Sequence, residues 1–212
     1  MSVVKLDLSQ PVSKLIGIVE KHSKSLSEER SQLLTKAAES IVRLQQIRSQ
    51  VNLLFICTHN SRRSHFSDFW TQVAMSCYGA ENLFSASCGT ETTECNPRTI
   101  ASLQRVGFDV SSDGKKQNPH YKIPFGGREI MLFSKAFGAP GLPTSDVVAM
   151  MCCHDAEENC PIIPGAEHKV SLHYKDPKSS DGTDAEAATY DARSMQIASE
   201  MFFLVRQIVK ND

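Results

Sequence analysis

The segment that most constrains this chain is Cys57-Thr-His-Asn-Ser-Arg-Arg63, entered from an apolar run, Val51-Asn-Leu-Leu-Phe-Ile56, and left through helix-like sequence from His65 towards Met75. A strand that breaks into a tight loop and restarts as a helix turns successive backbone N–H groups inward. The helix N-terminus adds partial positive charge. Such a loop, here Thr58, His59, Asn60, Ser61 and Arg62, suits a tetrahedral oxyanion. The same donors favour the thiolate, which makes Cys57 a candidate nucleophile. Arg63 can grip two anion oxygens bidentately. Ser64, in the first helical turn, is placed to donate a hydrogen bond to the sulfur. A Cys-x5-Arg spacing alone recurs by chance; the strand-to-helix setting gives it meaning.

The rest of the composition narrows the setting. A length of 212 residues suits one domain of ~150 residues plus an appendage. A formal net charge of −1 gives no electrostatic case for nucleic acid or an anionic membrane. No run approaches the ~20 apolar residues of a membrane span, and no basic-then-apolar signal opens the chain, so a cytoplasmic protein is expected. Seven cysteines, an odd number, argue against a closed disulfide framework. No Cys-x2-Cys pair occurs and the histidines are not spaced as ligand pairs, so no metal centre is expected.

Residues 1–50 read as an appended αα-hairpin and residues 51–212 as the main domain. After Pro11, Val12, Leu15, Ile16, Ile18 and Val19 form a short helical stripe. Ser25-x-x-Glu28 resembles a capping box, and Leu33, Leu34, Ala37, Ile41, Leu44 and Ile47 continue at helical spacing from Ser27 to Ser49. The hairpin is too short and too mixed in charge for a winged helix-turn-helix DNA module; it reads as packing on its own domain or on a homodimer partner ahead of an independent function. From Val51 strand and helix alternate. Strands are expected at Val51–Ile56, Leu83–Ser87, Met131–Phe133, Val147–Met151 and Lys169–Leu172. Helices are expected at Ser64–Tyr78, Arg98–Val106 and Asp184–Val209. This pattern predicts an α/β fold, a three-layer sandwich with a central parallel four-stranded sheet. Tyr121–Pro143 breaks the alternation, with Phe125-Gly-Gly-Arg128 able to turn a hairpin, and reads as an insertion bordering the site.

Two further constellations carry chemistry. Cys152-Cys153 ends the Val147–Met151 strand, and Cys160-Pro161 follows. In a parallel sheet that end lies on the same side as Cys57. A Cys-x6-Cys pair beside a thiolate offers relay chemistry; equally, Cys152 and Cys153 suit a core and Cys160 a loop. Asp176, in His173-Tyr-Lys-Asp-Pro177, leaves the last strand. It reads as a general acid or as an ordinary Asp-Pro turn, and the residues alone do not choose. Cys77, Cys88 and Cys95 are assigned to packing, although the loop between the last two could approach the site.

Together these segments resemble the low-molecular-weight protein tyrosine phosphatase superfamily, and more closely its thioredoxin-coupled arsenate reductases. The resemblance rests on Cys57-Thr-x-Asn-Ser-x-Arg63-Ser64, on Ser85-Ala86 with Gly89-x-Glu91, on Asn96-Pro97, on Cys153-x6-Cys160-Pro161 and on Asp176-Pro177. It implies that Cys57 attacks arsenate while Arg63 and the loop amides hold the oxyanion and Asp176 protonates the leaving oxygen. It further implies a Cys57–Cys153 disulfide that Cys160 resolves, with thioredoxin as reductant; glutaredoxin-like or mycothiol systems are alternatives. The first half of that sequence, run on a phosphate ester, is a phosphatase reaction, and Tyr174 beside the acid keeps phosphotyrosine in view. A bare oxyanion-binding or thiol redox-sensor module is a third reading, against which the Cys57, Arg63 and Asp176 set argues. The chain departs from the family at His59, where Gly is usual and the added bulk is expected to strain the backbone, and at Arg62, where Cys is common and a second cation is expected. Asn60 and Asp68 match positions near which some members bind potassium, so a weak potassium site is carried over as an expectation.

Overall fold

The computed structural model describes residues 6–159 and 162–211. Cys160, Pro161 and the first five residues lie outside them. Four parallel strands form the main sheet in the order β2 (Leu83–Gly89), β1 (Val51–Cys57), β6 (Val147–Met151), β7 (Ala166–Ser171). The two inner strands, β1 and β6, are buried at every residue, which is why both read as unbroken apolar runs. Asn52 is the polar exception in β1, and its Nδ2 donates to the Ser145 carbonyl at 2.8 Å. Strand β7 is an edge and keeps Val170 as its one buried residue.

Helix α3 (Arg63–Tyr78) packs on β1 and β2, and α6 (Glu186–Asn211) packs against α3 and α4 (Pro97–Arg105). The contact between α3 and α6 is aromatic. Trp70 meets Phe202 edge-on at 6.5 Å and Phe108 at 5.6 Å, and its indole N–H is satisfied by Ser194 Oγ at 2.9 Å. Asn96 caps α4 by accepting from Arg98 N at 2.9 Å, so Asn-Pro opens that helix as expected. No helix among the described residues is long and apolar enough to cross a membrane.

The amino-terminal helices are α1 (Gln10–His22) and α2 (Glu28–Gln45). Both pack against α6 of their own chain, and their buried residues join one continuous core with the sheet. Most of the apolar positions of the two helices are therefore covered within the chain. The stripe is narrower than expected: Ile18 and Ile47 are exposed, Ile47 lying beyond the end of α2. The capping signal is displaced as well. Ser27, not Ser25, accepts from Arg30 N, while Ser25 Oγ donates back to the His22 carbonyl.

The interrupting segment is larger than 121–143. An antiparallel sheet joins β3 (Ser111–Ser112), β4 (Tyr121–Phe125) and β5 (Arg128–Leu132), with Gly126 and Gly127 at positive φ in the turn. The strand expected at Met131–Phe133 thus belongs to this second sheet, not to the parallel one. Phe125 against Phe108, ring centroids 6.0 Å apart, ties the hairpin to the main core.

Candidate active site

Cys57 closes β1 in register with Gly89 of β2, and its thiol is buried. The chain then turns through Thr58–Arg62 into α3, so the loop lies at that helix's N-terminus, where anions are favoured. Ser64 Oγ lies 3.0 Å from Cys57 Sγ, and Asn60 Nδ2 donates to the same Ser64 oxygen at 2.9 Å. Asn60 is the loop residue in the left-handed region, at φ 43°; His59 is not. The strain expected at His59 is absent because asparagine, one step later, takes the left-handed turn. His59 instead points outward, half exposed, with Glu91 3.7 Å away.

The loop is braced from behind by two segments. Gly89 approaches so closely that a Cβ there would lie 2.7 Å from Asn60 N, 2.7 Å from Thr58 O and 2.8 Å from Glu91 O. The return leg of the inserted sheet supplies Lys135 N to Asn60 Oδ1 at 2.8 Å and Ser134 Oγ to the His59 carbonyl at 3.1 Å. Sequence reasoning missed both Ser134 and Lys135, because nothing local marks a segment that docks across the fold. Behind the loop lies a buried polar cluster. Asp68 accepts from Ser85 Oγ at 2.7 Å and Gln72 Nε2 at 2.9 Å. Burial pushes its carboxyl up while Lys135 pulls it back, and burial lowers the Lys135 ammonium in turn. This cluster does not fit the potassium ion carried over from the resemblance. Asn60 spends its oxygen on Lys135 N, and Asp68 Oδ1 already accepts from both Ser85 and Gln72 within the field of the Lys135 ammonium. Among the described residues no group of three or more His, Cys, Asp or Glu is placed to hold a metal ion.

At the mouth, Cys57, His59, Ser61, Arg62, Arg63 and Asp176 line a small cleft. Arg63 Nη2 lies 2.7 Å from Asp176 Oδ2, Nη1 donates to the Tyr174 carbonyl at 3.3 Å, and Nε is a buried donor without a partner. An anion oxygen would satisfy such a donor. Asp176 caps the 3₁₀ turn Pro177–Ser180, its Oδ1 accepting from Lys178 N, while its Oδ2 faces Arg63 at the cleft. Arg62 is not a free second cation. Its Nε donates to Tyr190 OH at 2.6 Å and its Nη2 lies 3.3 Å from Asp181. Tyr174 does not stand at the mouth; it is buried, with its hydroxyl donating to Glu200 at 2.8 Å.

The neighbouring thiols separate by environment. Cys152 N donates to the Ile56 carbonyl at 2.7 Å, which draws this end of β6 alongside Cys57. The Cys152 thiol is fully buried 3.6 Å from Ser67 Oγ, and burial raises it well above the usual thiol range. Cys153 Sγ lies 3.5 Å from Thr58 Oγ1, in contact with the oxyanion loop. Its carbonyl accepts from Glu157 N at the start of α5 (His154–Asn159). Cys160 lies outside the described residues. Cys77, Cys88 and Cys95 are buried; burial raises the Cys77 thiol to about 12 and raises Cys95 as well.

No family model matches the chain. The sequence is 32% identical over 126 residues to arsenate reductase 2 of Staphylococcus saprophyticus, spanning 59% of this chain and 77% of that protein. It is 30% identical over 125 residues to an arsenate reductase of Staphylococcus aureus, with 59% and 77% covered. Among solved structures, a mutant of YwlE from Bacillus subtilis superposes with a TM-score of 0.53 at 13% identity, covering 75% of this chain and 99% of that one. Primo-1 superposes at 0.50 and 12% identity, covering 74% and 97%. At such identities the superpositions speak for the fold alone.

Proposed function

The chain belongs to the low-molecular-weight protein tyrosine phosphatase superfamily, where its sequence relatives are arsenate reductases, and from that premise we propose that it is a cytoplasmic arsenate reductase with Cys57 as nucleophile. The contact of the Cys153 thiol with the oxyanion loop carries this reading: a phosphatase needs no second thiol there, and a reductase does.

In the proposed reaction the Cys57 thiolate attacks arsenate while Arg63 and the loop at the α3 N-terminus hold the oxyanion. Asp176, beside Arg63, protonates the departing oxygen. Cys153 then attacks Cys57 Sγ. The sulfur–arsenic bond breaks with its electron pair going to arsenic, arsenite leaves, and a Cys57–Cys153 disulfide remains. Two thiols have lost the two electrons that arsenic gains. Cys160 displaces Cys57, and a thioredoxin-type dithiol reduces the Cys153–Cys160 disulfide. The burial of Tyr174 weakens the phosphotyrosine alternative, because among the described residues the cleft is lined by no Phe, Tyr or Trp that could stack on a phenyl ring.

The test is arsenate-dependent NADPH oxidation with thioredoxin and thioredoxin reductase. Wild type should turn over steadily. Cys153→Ser and Cys160→Ser should lose at least ~100-fold, while Cys152→Ser, whose thiol is fully buried against Ser67, should stay within about threefold. Hydrolysis of aryl phosphate without any arsenate reduction would reverse the assignment in favour of a phosphatase.

A further inference from the structure

Arg30 carries the amino-terminal hairpin towards the chemistry. Arg30, in the first turn of α2, donates from Nη1 to the Leu172 carbonyl at 2.6 Å and from Nε to Glu200 Oε1 at 3.1 Å; its Nη2 pairs with Glu200 Oε2. Its guanidinium lies over the Tyr174 ring, 5.2 Å from the centroid. The Glu200 carboxylate, 1% exposed, also accepts from Tyr174 OH at 2.8 Å and Gln196 Nε2 at 3.0 Å. Tyr174 is thus gripped by its ring and its hydroxyl, and the backbone two residues earlier is gripped at its carbonyl.

The segment so held is the one that presents the acid. Between the grips His173 takes φ 26°, a conformation a non-glycine residue keeps only where its surroundings enforce it. Leu172 N and His173 N both donate to the Met151 carbonyl, and Tyr174 N donates to Cys152 O. The Tyr174 carbonyl then receives Arg63 Nη1, and Asp176 follows two residues on, 2.7 Å from the same guanidinium. We propose that Arg30 is a positioning residue: acting through Tyr174 and Glu200, it sets the loop that holds Asp176 against Arg63, which makes the appended hairpin part of the catalytic scaffold. The inference rests on the reading of Asp176 as general acid. A lysine at position 30 would keep the charge near Glu200 but lose the planar fork that spans carboxylate and carbonyl together.

The experiment is a double-mutant cycle on the full chain, read as single-turnover arsenite release at saturating arsenate, where no external reductant is needed. Arg30→Lys should slow release at least ~10-fold, with half-saturating arsenate unchanged within about twofold, because the acid and not the oxyanion loop is displaced. Asp176→Asn should slow it at least as much. Adding Arg30→Lys to Asp176→Asn should cost less than about twofold more, since a brace has nothing left to position. Tyr174→Phe, which keeps the ring under Arg30 but releases the hydroxyl tether, should show the same interaction with a smaller loss and guards against a poorly folded Arg30 variant. Losses that multiply across the cycle would overturn the proposal. If Asp176→Asn alone costs nothing, the acid assignment falls and Arg30 with it. If wild type releases no arsenite, the same cycle run on phenyl phosphate separates a wrong substrate from a wrong brace, and silence on both substrates would overturn the two readings together.

Discussion

His65 shows at the residue scale how deeply the ground behind the oxyanion loop is buried. It is fully buried, with Nδ1 3.3 Å from Ser87 Oγ and Nε2 without a partner. Burial, with the Lys135 ammonium adding to it, lowers its pKa from 6.5 to about 3. The folded pKa is depressed, so the unfolded chain binds the extra proton below pH 6.5, and His65 removes stability as pH falls from there towards 3. The full effect is roughly 4–5 kcal/mol, offset in part by Asp68, whose raised pKa runs the opposite way. Urea unfolding at a series of pH values should therefore show a steep loss between pH 6.5 and 4 in wild type and a flatter one in His65→Gln. Equal slopes would contradict a buried neutral histidine. Nothing in the sequence marks His65, because its burial depends on β2, distant in the chain, lying against it. Asn60 differs: a residue tolerant of left-handed backbone was visible in the loop, and only its neighbour's bulk drew attention to the wrong position.

Among the elements, β2 matters less as a strand than as a platform. Gly89 ends it against the oxyanion loop, and the three atoms a Cβ would meet there are all backbone, which cannot swing aside as a side chain can. Gly89→Ala should cost at least ~1–3 kcal/mol in chemical denaturation and push Thr58 and Asn60 out of place. Inorganic phosphate should then bind at least ~10-fold more weakly by calorimetry, and wild-type stability with wild-type phosphate affinity would refute the close approach. The regular elements were largely legible because each has its own period: the inner strands are unbroken apolar runs and the helices carry apolar stripes. Their junctions were less so. Ser25 and Ser27 are equally good caps by composition, and only the direction from which the chain enters α2 selects Ser27.

For the molecule as a whole, the hairpin and the α/β layers share one core. Ile41 is fully buried on α2 and belongs to that core. Ile41→Ala should thus lower the stability of the entire chain by ~2–5 kcal/mol, with far-UV circular dichroism and Trp70 fluorescence still reporting a single coincident transition. Two separated transitions would mean that the hairpin folds as a unit of its own. The ionic link through Arg30 and Glu200 belongs to this scale too, because it joins residues 170 positions apart. No spacing rule reports such a pair.

What the sequence determined alone is local: a strand over Val51–Ile56 that runs into Cys57, a loop suited to an oxyanion, a helix that follows from Ser64, and the alternation that makes a parallel sheet. Each follows from short-range backbone chemistry and hydrophobic period. The tertiary structure decided which thiol touches the loop, that Tyr174 faces Glu200 and not the cleft, that Arg62 is spent on Tyr190 and Asp181, and that Arg30 of an appended helix bonds the Leu172 carbonyl. Those outcomes turn on burial and on partners distant in the chain, and burial is a property of the packed molecule, not of any one stretch of it.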